Sequence, residues 1–171
     1  YIVKKPEYTF TYGLDYKINL LAQAKSLGLY ENLILHDANQ TLPFEDSRFK
    51  TVFSNILYWL DDPLKSLKEI CRILQNGGRA LFCIPNVKFK EYCFTFSWEE
   101  KKSSLLKKLN KGRSEVMQYF ASYDEFSELA KNTGFSVFDH SYYLSRLTLT
   151  IWDIGLRPIS PYLIQMANKL S

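Results

Sequence analysis

The chain has 171 residues, room for about one domain with a sizeable core. At 46% apolar and 23% charged residues, with 7 Gly and 6 Pro, its composition is that of a globular protein and excludes disordered, collagen-like and low-complexity classes. The formal charge of +4 resides in residues 99–113, where six Lys or Arg and two Glu leave the rest of the chain neutral, so no nucleic-acid partner is implied. That stretch reads as a solvated helix face, or else as a contact for an acidic ligand or a membrane surface.

Taken in chain order, the first β-rich run is Thr9 to Leu14, closing at Asp15. A helix follows, with Ile18, Leu21 and Ala22 at helical spacing and Gly28 as its stop. Leu33 to His36 is the second β-rich run, followed by Asp37, and Lys50 to Ser54 is the third. Asp61-Asp62-Pro63 then opens a helix, because Asp caps free N–H groups and Pro in the first turn loses no hydrogen bond. Its apolar stripe is Leu64, Leu67, Ile70, Cys71 and Leu74, and Gly77-Gly78 is its expected end. Arg79 to Ile84 is the fourth run, closed by Pro85-Asn86. Residues 87–121 are less regular, aromatic and then basic. Ser122 and Glu125 form a capping box for another helix, stopped at Gly134. Phe135 to Leu144 reads as a further strand, and the apolar tail from Ser145 as two short helices. Alternating strands and helices of this kind predict a parallel sheet covered on both faces.

Three cysteines, Cys71, Cys83 and Cys93, form no C-x-x-C pair. Neither a zinc site nor a disulfide framework is indicated, and a reduced, cytoplasmic chain is expected. No apolar run approaches the roughly 18 residues of a transmembrane span. The two histidines, His36 and His140, have no partners at the spacing of a catalytic triad or a metal site.

In open parallel sheets, ligands bind beyond the carboxyl ends of the strands. Asp15, Asp37, Asn55 and Asn86 all stand there. Asp15 has two readings. An acid at this point can accept hydrogen bonds from the vicinal hydroxyls of a ribose, or it can cap the helix that begins near Tyr16.

GLD at 13–15, HDA at 36–38, LPFEDSRFKTVFSN at 42–55, EICRIL at 69–74 and NGGRALFCIPN at 76–86 together resemble the class I S-adenosylmethionine-dependent methyltransferases of small molecules. The later SYDEFSELAKNTGF at 122–135 is similar to the helix that leads into that family's sixth strand. The resemblance covers about residues 9–145. It implies an α/β, Rossmann-like class I methyltransferase fold for residues 1–145, with residues 146–171 as an apolar helical tail packing on it. It further implies S-adenosylmethionine as cofactor and a small-molecule methyl acceptor. Asp15 would hold the ribose hydroxyls and Tyr16 would flank the adenine. Asp37 would accept from the adenine amino group, Ala38 would line the ring, and Asn55 would lie beside the methionine part. Ile56 to Leu60, with Tyr58 and Trp59 foremost, would border the acceptor, and Tyr92 and Tyr119 are further candidates for lining it.

Three departures accompany the resemblance. Residues 1–12 contain no glycine, so the family's first strand and its GxGxG loop are missing from this chain. Lys50 stands where the family usually has an acid, and Trp59 where it often has a His. Without the first strand, which lies at the centre of the family's sheet, Thr9–Leu14 and Thr51–Ser54 are expected not to pair directly. The alternative to an enzyme is a non-catalytic methyltransferase-like binding or scaffold subunit. The tail, with Trp152, Leu156, Ile159 and Tyr162, offers a cover for a greasy substrate, a membrane contact or a homo-oligomer interface.

Overall fold

A computed structural model describes residues 8–93, 96, 116–156, 159, 162 and 165. Strand β1 is Phe10–Asp15 and strand β2 is Tyr30–Leu35; they run parallel, from Phe10↔Tyr30 to Asp15↔Leu35. The β2 ladder begins three residues before the apolar run that marks it in the sequence. Its polar half is tied down instead by side chains. Asn32 Nδ2 donates to the Thr11 carbonyl at 3.1 Å, Thr9 Oγ1 donates to Glu31 at 3.0 Å, and Tyr30 stacks on Phe10.

Helix α1, Ile18–Leu27, crosses from β1 to β2. Gly28 ends it with φ 64°, a left-handed conformation that a residue with a Cβ adopts only at a cost.

Strands β3, Phe49–Ser54, and β4, Leu74–Phe82, make a second parallel pair, in register from Thr51↔Arg79 to Ser54↔Phe82. Between them lies α2, Pro63–Ile73, started by the Asp62 carboxylate, which accepts from the Lys65 N–H at 3.0 Å. The helix stops at Ile73, short of the expected Gly77-Gly78. The Arg72 carbonyl explains this, because it accepts the Ser47 N–H at 2.9 Å and is withdrawn from the helical ladder. Leu74 is already extended, and the turn at Gly77, φ 73°, falls within the first half of β4.

No ladder joins the two sheets among the described residues. β1 and β3 are linked instead through side chains. Tyr12 of β1 meets Phe44 and Phe49 edge-on, with centroids 5.3 and 5.7 Å away, and its hydroxyl accepts from Arg48 at 3.1 Å. The two faces of the β3–β4 sheet differ. Phe82 packs on the buried cluster of Leu57, Leu60 and Leu67, together with Phe126, Leu129 and Phe135. The register partners Phe53 and Leu81, on the other face, are 55% and 61% exposed.

Helix α3 is Phe89–Tyr92 and α4 is Tyr123–Lys131. The capping box at the start of α4 forms as expected, with the Glu125 carboxylate accepting the Ser122 N–H at 2.7 Å. Phe135–Leu144 is not a strand, contrary to its alternating pattern. Phe135 packs on Phe82, Phe138 lies under Arg79, and Tyr142 returns to Asn86. A path that reverses within seven residues cannot hold one ladder. In the tail, α5 is Arg146–Ile151, followed by a π-helical turn at Trp152–Leu156. The basic stretch 99–113 and most of the tail beyond Leu156 lie outside the described residues.

Candidate functional site

Adjacent parallel strands bring two carboxylates to one sheet edge. Asp15 is the last residue of β1, and Asp37 follows β2 by two residues. The His36 N–H donates to the Asp15 carbonyl at 3.1 Å, so the two strands are still joined where the acids begin. Both acids fold back on their own backbone. Asp15 Oδ1 accepts the Lys17 N–H at 2.8 Å, and Asp37 Oδ1 accepts the Asn39 N–H at 2.9 Å. These i→i+2 bonds are Asx turns, which fix the carboxylate plane. Each leaves its second oxygen without a partner among the described residues. Asp15 is not the cap of α1, since Lys17 occupies that position and no side chain closes the first turn.

The other expected residues fall into three positions. Tyr16 is 64% exposed, with Lys17 Nζ 5.1 Å from its ring centre. Ala38 is half-buried and packs against the cluster of Leu57, Leu60 and Leu67. Asn55 is exposed at the end of β3, in the other sheet, and no ladder connects it to the two acids among the described residues.

The segment 56–60 divides by face. Leu57 and Leu60 are buried and Ile56 packs on them, so these three are core and do not border an open site. On the 3-10 turn Leu57–Trp59, Tyr58 is half-buried and Trp59 exposed, with ring centres 5.0 Å apart. The Tyr58 carbonyl accepts the N–H groups of Gln118 and Tyr119 at 2.9 and 3.3 Å, which brings Tyr119 alongside. Burial pushes the Tyr119 hydroxyl above its ordinary pKa, with the Glu125 charge adding to the effect. Tyr92 belongs elsewhere. Its ring lies 5.4 Å from the Arg146 guanidinium, and its carbonyl accepts from Thr150. His36 is anchored by the Thr41 carbonyl at 3.0 Å, while His140 stands between the rings of Tyr123 and Tyr142.

Two groups that shape the site are not singled out by their sequence pattern. Asn39 ties the loop after β2 to the start of α2. Its Oδ1 accepts the Asp61 N–H at 2.9 Å, and its carbonyl accepts Lys65 Nζ at 3.0 Å. Glu69 and Arg72 of α2 hold the rest of that loop. Arg72 donates to the carbonyls of Leu42 and Phe44 and to the carboxylates of Asp46 and Glu69. Glu69 in turn accepts the Leu42 N–H at 2.9 Å. The signal lies in the pairing of L-P-F-x-D at 42–46 with E-x-x-R at 69–72, since a one-turn acid–base pair on a helix can clamp a neighbouring loop through its carbonyls and N–H groups.

Residues 4–82 match the family model of a methyltransferase domain. Over 74 residues the chain is 35% identical to a demethylmenaquinone methyltransferase of Bacillus cytotoxicus, covering 40% of this chain and 31% of that protein. The chain thus spans about a third of the length of this curated relative. Its fold is similar to a chain from the complex of the Haloferax volcanii Trm112 methyltransferase activator with a methyltransferase (TM-score 0.59, 22% identity, 76% of this chain and 52% of that one). It is also similar to an S-adenosylmethionine-dependent methyltransferase of Thermotoga maritima (TM-score 0.53, 23% identity, 79% and 62%). A third, from Mesorhizobium loti, gives a TM-score of 0.55 at 16% identity, over 88% of this chain and 73% of that one.

Proposed function

From a chain that has the class I methyltransferase fold, and whose residues 4–82 carry the methyltransferase-domain family pattern, we propose a protein that transfers a methyl group from S-adenosylmethionine to a small-molecule acceptor. The observation that carries this reading is the pair Asp15 and Asp37. Both stand at the carboxyl ends of neighbouring parallel strands, and both have one oxygen fixed by an Asx turn and the other without a partner among the described residues. Two such acceptors suit an adenosine, with Asp15 on the ribose hydroxyls and Asp37 on the adenine amino group. Ala38 and Tyr16 would line the adenine, and Asn55 the methionine end.

When bound, S-adenosylmethionine supplies an electrophilic methyl group on a positively charged sulfur. The protein's own tasks are then to orient the acceptor and to exclude water. Tyr58 and Trp59 are suited to both, because the half-buried Tyr58 and the exposed Trp59, tilted by 59° to each other, offer apolar ring surface to the acceptor and π-faces to the positive charge. The relative named for a demethylmenaquinone supports a small-molecule acceptor.

Replacing Asp37 by Asn tests the adenine contact. An amide oxygen can still accept, so the loss is small, about 1 kcal/mol or fivefold in affinity for S-adenosylhomocysteine measured by calorimetry. A loss as large as that expected for Asp15 would give Asp37 another role.

Turnover is tested by incubating the full-length protein with methyl-labelled S-adenosylmethionine and a small-molecule extract. Label should appear in the organic-soluble fraction. Label on macromolecules only would contradict the acceptor class, and cofactor binding without any transfer would support a binding subunit instead.

A further inference from the structure

We infer that Asn39 is a positioning residue that locks Asp37 in place for the adenine and joins the cofactor side of the site to the Tyr58–Trp59 turn. The inference rests on the proposed role of Asp37.

The geometry is a relay of three bonds. The Asn39 N–H holds Asp37 Oδ1 at 2.9 Å, the Asn39 side-chain oxygen holds the Asp61 N–H at 2.9 Å, and the Asn39 carbonyl is held by Lys65 Nζ at 3.0 Å. Asp61 comes two residues after Trp59, and Lys65 lies in the first turn of α2. The loop after β2 therefore does not hang from its strand alone. Asn39, itself half-buried, bolts it to the start of a helix whose Leu67 and Ile70 are buried in the core. Ala38, its neighbour, packs on that same core.

This arrangement explains why the side chain at 39 matters although it need not touch the ligand. An exposed carboxylate on a free loop samples several orientations, and ordering it on binding costs entropy that a preformed loop has already lost. The amide suits the position. Its oxygen accepts from a backbone N–H, and it adds no charge beside Asp37, Asp61 and Asp62. An Asp here keeps the acceptor, with Lys65 close by as a counter-charge.

The test compares S-adenosylhomocysteine with S-inosylhomocysteine, in which an oxygen replaces the adenine amino group, on the full-length protein. The wild type should prefer the adenine form by about tenfold or more, the worth of one hydrogen bond to a charged group. Asn39→Ala should lose most of that preference with little change in melting temperature, and Asn39→Asp should retain it. Lys65→Met, which removes only the outer contact, should lower the preference partly; it also serves if Asn39→Ala does not fold. An undiminished preference in Asn39→Ala, or in Lys65→Met where the first variant is unfolded, would overturn the positioning role while leaving the Asp37 assignment standing. No preference in the wild type would remove the Asp37 assignment and this inference together.

Discussion

Asp15→Ala should weaken binding of S-adenosylhomocysteine to the full-length protein by tenfold or more. A carboxylate that accepts from ribose hydroxyls contributes about 1.5–3 kcal/mol per bond, and 1.4 kcal/mol is already a factor of ten. The substitution should spare the fold. Among the described residues, the one bond it removes is the Asx turn to the Lys17 N–H, at a partly exposed position before a helix with no side-chain cap. Titration calorimetry alongside a thermal melt separates the two effects. Unchanged affinity would reduce Asp15 to that turn.

Arg72→Ala should produce the largest loss of stability, about 2–3 kcal/mol in a thermal or denaturant melt. Its guanidinium serves two loop carbonyls and two carboxylates, and removing it takes a hydrogen bond from each of the four and leaves the partly buried Glu69 charge with only the Leu42 N–H. The loss stays below the 3–5 kcal/mol of a fully buried pair because the Arg72 side chain retains 26% of its exposure. The effect depends on pH. The hydrogen bond from Arg72 holds the Glu69 carboxyl below its usual range, against the opposing pull of burial. A carboxylate with a lowered folded-state pKa contributes stability above its unfolded value of about 4.3, and that contribution is lost as pH falls through the folded value. The gap between wild type and Arg72→Ala should therefore be full at pH 7 and narrow below about pH 4. A gap independent of pH would assign Arg72 a packing role only.

Local chemistry made much of this fold legible in the sequence. Asp62-Pro63, the Ser122–Glu125 box and Gly28 act through one or two neighbours, and all three form as expected. The failures share a cause in distant partners. Helix α2 ends early because Ser47, far away in sequence, takes the Arg72 carbonyl. Phe135–Leu144 has the alternation of a strand but follows side-chain anchors on Phe82, Arg79 and Asn86 instead of an edge. Leu57 and Leu60, expected beside the acceptor, are core because the 3-10 turn sets residues three apart on one face, where they pack with Leu67 of α2. At the site, strand-end acids are visible from sequence. The asparagine and arginine that hold their loops are not, since their partners lie 22 or more residues away.

The most direct measurement of the central claim pairs a variant with a ligand analogue. Calorimetry on the full-length protein would compare S-adenosylhomocysteine with its 2′,3′-dideoxy analogue, in wild type and in Asp15→Ala. If Asp15 holds the ribose hydroxyls, the wild type should favour the natural ligand by at least about tenfold, and the variant should favour it hardly at all. Equal preference in the two proteins, or no binding of either ligand to the wild type, would contradict the account.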